Sequence, residues 1–263
     1  MHRIGTIGAG KMAFALAKAI ERSNLAESII MSDKNKERLD YVKKNSVASV
    51  TKNNLKVLKE AEIIFLAVKP QQMEEVLKEI KSSVKDHIII SIAAGIPLSF
   101  FNKHLKGKSV IRVMPNIPCL VGEMAAAYSL NENVDEQDAN IVHGLLNSAG
   151  IAFKVDEDKL DAVTGLSGSG PGFFAKIVKN MIEAGIEEGL SNELAKELAY
   201  QTMKGTGKLL LEKELSPDEL IEMVASPKGT TVAGLEVLKK SDAIIKKTIK
   251  AAVKRSKELG KND

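Results

Sequence analysis

The chain has no tryptophan, one cysteine and only 4% aromatic residues in 263. A lone thiol, Cys119, excludes an internal disulfide framework and any multi-cysteine metal site. The four histidines, His2, His87, His104 and His143, lack metal-ligand spacing, so no metal is expected. The longest apolar runs, such as Ile63–Val68, are far too short to cross a bilayer, and no membrane partner is expected. Charge of one sign is scarce as well: 38 basic residues face 34 acidic ones, a net charge of +4. Much of the excess falls at Lys239, Lys240, Lys246, Lys247, Lys250, Lys254, Arg255 and Lys257. Between these, Ile245, Ile249, Ala252 and Val253 recur at helical spacing, which reads as the solvated face of an amphipathic helix. A nucleic-acid surface would more often interleave aromatics or carry a known module, so no nucleic-acid partner is expected. His2 and Arg3 lead straight into a strand-like segment, so we expect no signal peptide and a cytoplasmic location.

What is present is an alternation. Short Ile- and Val-rich runs occur at Arg3–Ile7, Ser28–Met31, Ser46–Val50, Ile63–Val68, His87–Ile92, Ser109–Met114, Ala125–Leu130 and Ile151–Val155. Most lack polar alternation, as strands buried on both faces of a parallel sheet do. Helical patterns lie between several of them, as in Lys11–Glu21. Strand and helix in succession imply an α/β fold with a doubly wound sheet. After Val155 the pattern is all helical. Phe174, Ile177, Val178, Met181, Ile182 and Ile186 recur at helix period, and Ser216-Pro217-Asp218-Glu219 carries a capping box with proline at the first helical position. We therefore expect one domain over residues 1–155 and another over 156–263, with Asp156-Glu157-Asp158 as the hinge.

The first strand runs into Gly8-Ala9-Gly10-Lys11-Met12-Ala13 and then a helix, the dinucleotide fingerprint in its proper context. Gly8 allows the tight turn, and Gly10 lets a pyrophosphate approach the helix N-terminus, where amide hydrogens and the dipole favour an anion. The second strand ends in Ser32-Asp33-Lys34. Asp33 suits a ribose 2′-hydroxyl and hence NAD; Ser32 and Lys34 suit the 2′-phosphate of NADP. The local residues leave both open.

Two clusters stand out in the helical half. Gly165–Gly172 is a flexible polar stretch that reads either as a linker or as a binding loop. Ser226-Pro227-Lys228-Gly229-Thr230-Thr231 precedes another helix. There the amides of Gly229, Thr230 and Thr231 would meet a substrate carboxylate, and a threonine hydroxyl would bond a nearby polar atom. A simply well-capped helix explains the same residues.

Together these motifs resemble the pyrroline-5-carboxylate reductase family over nearly the whole chain. The resemblance rests on Gly8–Ala13, Phe65-Leu66-Ala67-Val68-Lys69-Pro70, Ser91-Ile92-Ala93-Ala94-Gly95, Arg112-Val113-Met114-Pro115-Asn116, Ala162–Pro171 and Ser226–Thr231. It implies an N-terminal Rossmann domain, an all-helical C-terminal dimerisation domain, and reduction of L-1-pyrroline-5-carboxylate to L-proline with NADPH or NADH. The cofactor site it implies comprises Gly8, Ala9, Gly10, Lys11, Met12, Ser32, Asp33, Lys34, Asn54, Ala67, Val68, Lys69, Pro70, Ala94 and Gly95. Ser226, Gly229, Thr230 and Thr231 would bind the substrate, with Thr231 bonding the ring nitrogen as the catalytic contact. A homodimer, or a decamer built of dimers, is the implied assembly. The chain departs from the usual pattern at Lys228, Gly172, Ile117 and Met124. It also carries Asp33-Lys34 where many members have Asn-Arg.

Two other readings compete. Lys176 and Asn180 match the spacing of a β-hydroxyacid dehydrogenase catalytic pair. A paralogue that binds the cofactor without turnover is the non-enzymatic alternative.

Overall fold

A computed structural model describes residues 1–260. All eight expected strands form, as β1 (His2–Ile7), β2 (Ala26–Ser32), β3 (Ser49–Thr51), β4 (Ile63–Leu66), β5 (Ile88–Ser91), β6 (Val110–Met114), β7 (Met124–Leu130) and β8 (Gly150–Lys154). They join in one sheet of order β3-β2-β1-β4-β5-β6-β7-β8. Strands β1 to β6 are parallel, whereas β7 pairs antiparallel with β6, and β8 then runs parallel to β7. The third strand is shorter than expected because Ser46 closes the preceding helix, its hydroxyl donating to Val42 O at 2.9 Å.

The helices are α1 (Lys11–Arg22), α2 (Lys36–Asn45), α3 (Asn54–Glu60), α4 (Pro70–Ile80), α5 (Leu98–His104) and α6 (Glu136–Asn147). Two apolar layers sandwich the sheet. One gathers Phe14, Leu16 and Ile20 of α1 with Leu39 and Val42 of α2 and Leu145 of α6. The other gathers Val57 of α3 with Met73 and Leu77 of α4 and Phe101 of α5. Both faces of the central strands are thereby dry, which is why they read as unbroken apolar runs. The strand order reverses between β1 and β4, and ligands of open α/β sheets bind outside the carboxyl ends of the strands at such a point.

The remaining helices are α7 (Leu160–Val163), α8 (Gly170–Glu187), α9 (Asn192–Glu212), α10 (Pro217–Val224), α11 (Thr230–Leu238) and α12 (Asp242–Leu259). The chain falls into two compact units: Met1–Ser169 together with residues 251–260, and Gly170–Lys250. That division differs from a boundary at Val155. The sheet does end at Lys154, but Leu160 is fully buried against Met114 and Ala127 and keeps the next residues with the first unit.

The expected hinge and the expected flexibility of the glycine-rich stretch are both corrected here. The proposed hinge at Asp156-Glu157-Asp158 is pinned. Glu157 Oε1 accepts from Arg112 Nη1 at 2.9 Å and from the Leu98 amide at 2.7 Å. Gly165–Gly172, within which the two units divide, is helical rather than a flexible stretch. A π-helical turn over Thr164–Gly168 carries helix from α7 towards α8, with Ser169 N donating to Thr164 O at 2.9 Å. Ser167 Oγ donates to Ala125 O, and Asn116 Nδ2 donates to Ser167 Oγ at 3.1 Å, so the glycines are held by side chains around them.

The second unit is helical throughout. The Ser216 capping box forms as expected, with both reciprocal bonds present. Few of its apolar side chains are buried within the single chain: Val178, Ala195 and Ala199 among the described residues. Phe174 is 62% exposed, and Ile177, Met181, Leu194, Leu198 and Met203 are exposed as well. The periodic stripe on α8 is therefore helical as expected but largely uncovered within one copy.

Candidate functional site

A cleft of about 260 Å³ opens where β1 and β4 end. Gly8, Gly10, Ser32, Asp33, Lys34, Asn54, Ala67, Val68 and Lys69 all line it, so most of the expected cofactor residues converge. Strand β4 stops at Leu66, which frees Ala67–Lys69 to form its wall.

The two glycines of the turn serve different ends. Gly8 has φ +98°, and a Cβ there would stand 2.6 Å from Ala67 O, so both conformation and space demand glycine. Gly10 has φ −64° and ψ 175°, which any residue adopts. A Cβ on Gly10 would meet nothing within 4 Å. The absent side chain leaves an open cradle at the start of α1, next to first-turn amides that have no intrahelical acceptor. No side chain caps this helix. A pyrophosphate fits the cradle sterically and electrostatically.

Ala9 is a strut. Its N–H donates to Asp33 Oδ2 at 2.8 Å. Its carbonyl accepts from Arg38 Nε at 2.9 Å and from Nη2 at 2.7 Å. Ala9 therefore shapes the turn and leaves the amides at the start of α1 to an anion. Asp33 Oδ1 also accepts from the Asn35 amide at 2.8 Å, which fixes the carboxylate at the rim. Arg38 lies over the Tyr41 ring, 5.0 Å from its centroid, and Tyr41 meets Phe14 edge-on.

Ser32 is fully buried, and its hydroxyl donates to Asn54 Oδ1 at 2.7 Å. It cannot give the same proton to a 2′-phosphate, so this part of the expectation falls to Lys34 alone. Lys34 Nζ pairs with Glu75 at 2.9 Å, and Asn54 Nδ2 donates to Glu79 at 2.9 Å. Arg38, Gln72 and Glu75 line the cleft although the sequence reading passed them over. Arg38 lies beyond the fingerprint, and the two α4 residues are indistinguishable in sequence from an ordinary solvated helix face.

Ala94 and Gly95 are not among the lining residues of this cleft. They form the turn after β5, where Ala94 packs against Met114 and Leu160. Gly95 faces Leu259 and Gly260 at the C-terminal end of the same unit. Lys11, Met12 and Pro70 flank the cleft in sequence, at the starts of α1 and α4.

The second unit holds Ser226–Thr231. Gly229 is the N-cap of α11, and no side chain caps that helix. Its own N–H donates to Ser226 O at 2.9 Å. The amide expected to meet a carboxylate is thus taken, and the outward-facing donors begin at Thr230. Lys228 adopts φ +60°, a left-handed conformation that glycine accepts more readily. Lys176 and Asn180 are both exposed on α8.

Cys119 sits in a short 3₁₀ turn, Ile117–Val121, with no exposed surface. Burial pushes its thiol up to about 11, against a smaller opposing pull from Arg22, so it behaves as a small hydrophobe rather than a nucleophile. His2 bonds Glu62, His87 bonds Leu58 O, His104 bonds Phe100 O and His143 bonds Tyr128. Each is structural in this setting.

Two family models match. One, for pyrroline-5-carboxylate reductase dimerisation, covers residues 157–259. The other, described as NADP oxidoreductase coenzyme F420-dependent, covers residues 3–95. A pyrroline-5-carboxylate reductase of Methanosarcina acetivorans is 38% identical, over 99% of this chain and 98% of that one. One of Synechocystis is 36% identical, over 98% of each. The crystal structure of Plasmodium falciparum pyrroline carboxylate reductase with NADP bound aligns with a TM-score of 0.90 and 31% identity, covering 98% of both chains. With identity spread over the full length, the fingerprint cleft and the helical half falling within one alignment, the chain belongs to the pyrroline-5-carboxylate reductase family.

Proposed function

We propose that this chain reduces L-1-pyrroline-5-carboxylate to L-proline, with NADPH as cofactor and NADH accepted. The observation that carries the cofactor half is the open cradle at Gly10, a glycine kept where the protein itself leaves room for a side chain. When bound, the reduced nicotinamide supplies a hydride to the carbon of the substrate C=N bond.

The chain's own residues bind and orient. First-turn amides of α1 would hold the pyrophosphate, and Ala67–Pro70 would wall the cleft. Thr230 and Thr231, in the first turn of α11, would hold the substrate carboxylate through their amides. The Thr231 hydroxyl would bond the ring nitrogen. A C=N group accepts hydride far better when its nitrogen is protonated. A substrate arriving as the iminium ion brings that proton, so the net addition of hydride and proton needs no proton donor from the protein. Alignment of the reacting atoms then supplies most of the acceleration, up to roughly 7–11 kcal/mol for well-positioned pairs.

The uncovered apolar face of α8 and α9 supports a homodimer formed through the helical unit. We extend the proposal to a decamer built of five such dimers and to a cytoplasmic setting. No helix among the described residues is long and apolar enough to cross a membrane.

The test is steady-state cofactor oxidation with pyrroline-5-carboxylate under NADPH and under NADH, with proline measured as product. Proline formation dependent on either cofactor is the expected result. Cofactor binding without turnover would overturn it, as would hydroxy-acid oxidation that is lost in Lys176→Ala.

A further inference from the structure

At the end of the cleft by Lys34, α4 brings two acids towards the lysine. Lys34 stands on the rim after β2, and its ammonium is 2.9 Å from Glu75 on α4. Glu79, one turn further along α4, adds a second attraction to the same ammonium. The side chains of Lys34 and Glu75 are 70% and 71% exposed. The other rim cation from this stretch, Arg38, is occupied by two hydrogen bonds to the Ala9 carbonyl and by the Tyr41 ring. Lys34 is therefore a cation placed to meet a phosphate on the ribose 2′-oxygen, beside the guanidinium hydrogens of Arg38 that Ala9 does not use, and Glu75 already holds it.

We propose that Glu75 is a specificity-determining residue that narrows the preference for a 2′-phosphorylated cofactor by competing for Lys34. The inference rests on the dinucleotide reading of this cleft. A 2′-phosphate carries close to two negative charges at neutral pH. To meet Lys34 it must displace or share the Glu75 carboxylate, which then faces an anion. A 2′-hydroxyl carries no such charge, and the fixed Asp33 carboxylate is a ready acceptor for it. One rim thus admits both cofactors, and α4 sets the margin between them. The pair is formed in the resting protein: the hydrogen bond between them moves the Lys34 ammonium up and the Glu75 carboxyl down from their ordinary values.

The experiment is equilibrium calorimetry on the full chain with adenosine 5′-monophosphate and adenosine 2′,5′-bisphosphate. These probes differ only in the discriminating phosphate and need no turnover. In Glu75→Gln, the bisphosphate should bind about three- to fivefold more tightly and the monophosphate as in wild type. The gain should shrink at about 0.5 M salt, because both partners are exposed. Glu75→Asp, which keeps the charge, should stay nearer to wild type than Glu75→Gln does. Equal shifts for both probes, no shift for the bisphosphate, or a gain indifferent to salt would each overturn the inference. If the wild-type protein binds neither probe nor a reduced dinucleotide, the cleft reading fails and takes this inference with it. Wild-type binding of both probes with an inert Glu75→Gln removes this inference alone.

Discussion

Arg112 Nη1 and Glu157 Oε1 lie 2.9 Å apart, with the arginine side chain only 8% exposed and the glutamate 32%. The pair joins the middle of β6 to the turn that follows β8, and the Leu98 amide adds a second contact to the same oxygen. A buried ion pair need not stabilise a fold outright, but removing one partner leaves the other charge uncompensated. Glu157→Ala should therefore cost about 2 kcal/mol, discounted from the value for a fully buried pair because the carboxylate is partly wet. Denaturant unfolding measures it. A midpoint unchanged from wild type would restore the hinge that the acidic run first suggested.

That acidic run shows why parts of the chain misread. Asp156-Glu157-Asp158 has the composition of a linker, and nothing within a few residues reveals that Arg112 waits in the sheet. Gly165–Gly172 read as flexible for a similar reason, and it is helical instead. Glycine weakens a helix locally, but here the π turn is tied through its own Ser167 to Asn116 and the Ala125 carbonyl outside it. The strands were legible because burial on both faces leaves an unmistakable run of Ile and Val. The fingerprint turn was legible because Gly8 answers to the turn's geometry and Gly10 to the room a ligand needs. Arg38 and Glu75 reach the cleft only through the packing of α2 and α4, which no short motif encodes.

Gly8 and Gly10 should separate fold from binding. Gly8→Ala meets the Ala67 carbonyl at a left-handed φ, so it should lower stability by about 1–3 kcal/mol and weaken the cofactor too. Gly10→Ala keeps an ordinary backbone and open space, so the thermal midpoint should stay within about 1 °C. Its methyl instead occupies the cradle, and cofactor affinity should fall about tenfold or more. Thermal melts and cofactor titrations on the two variants check the split. Equal losses of stability would remove the argument that Gly10 is reserved for a ligand.

Thr231→Ala should lower kcat/KM about tenfold, the scale of one hydrogen bond, while leaving the melt unchanged. Thr231→Ser keeps the hydroxyl and should recover most of the loss. Lys228→Gly acts on the same loop in another way. Its φ of +60° is strained for lysine, so glycine should stabilise the chain by up to about 1 kcal/mol. Wild-type kinetics in Thr231→Ala would take the hydroxyl out of the mechanism. A destabilised Lys228→Gly would mean that the lysine makes contacts that outweigh its strain.

Cys119 gives a pH dependence with a fixed sign. Burial raises its thiol to about 11, above the ordinary value near 9. Across that interval the unfolded chain releases a proton that the folded chain keeps, so stability falls as pH rises. The contribution is fully present below about pH 9 and is lost towards pH 11, by about 2 kcal/mol. Lysines and tyrosines titrate in the same range, so the comparison is with Cys119→Ala, which lacks this part of the slope. Chemical unfolding of both proteins between pH 8 and 11 reads the difference. A thiol reagent at pH 8 should modify wild type only as fast as it unfolds. Parallel slopes and rapid modification would place the sulfur in contact with water, and the packing of α1 over the Ile117–Val121 turn would then be looser than described.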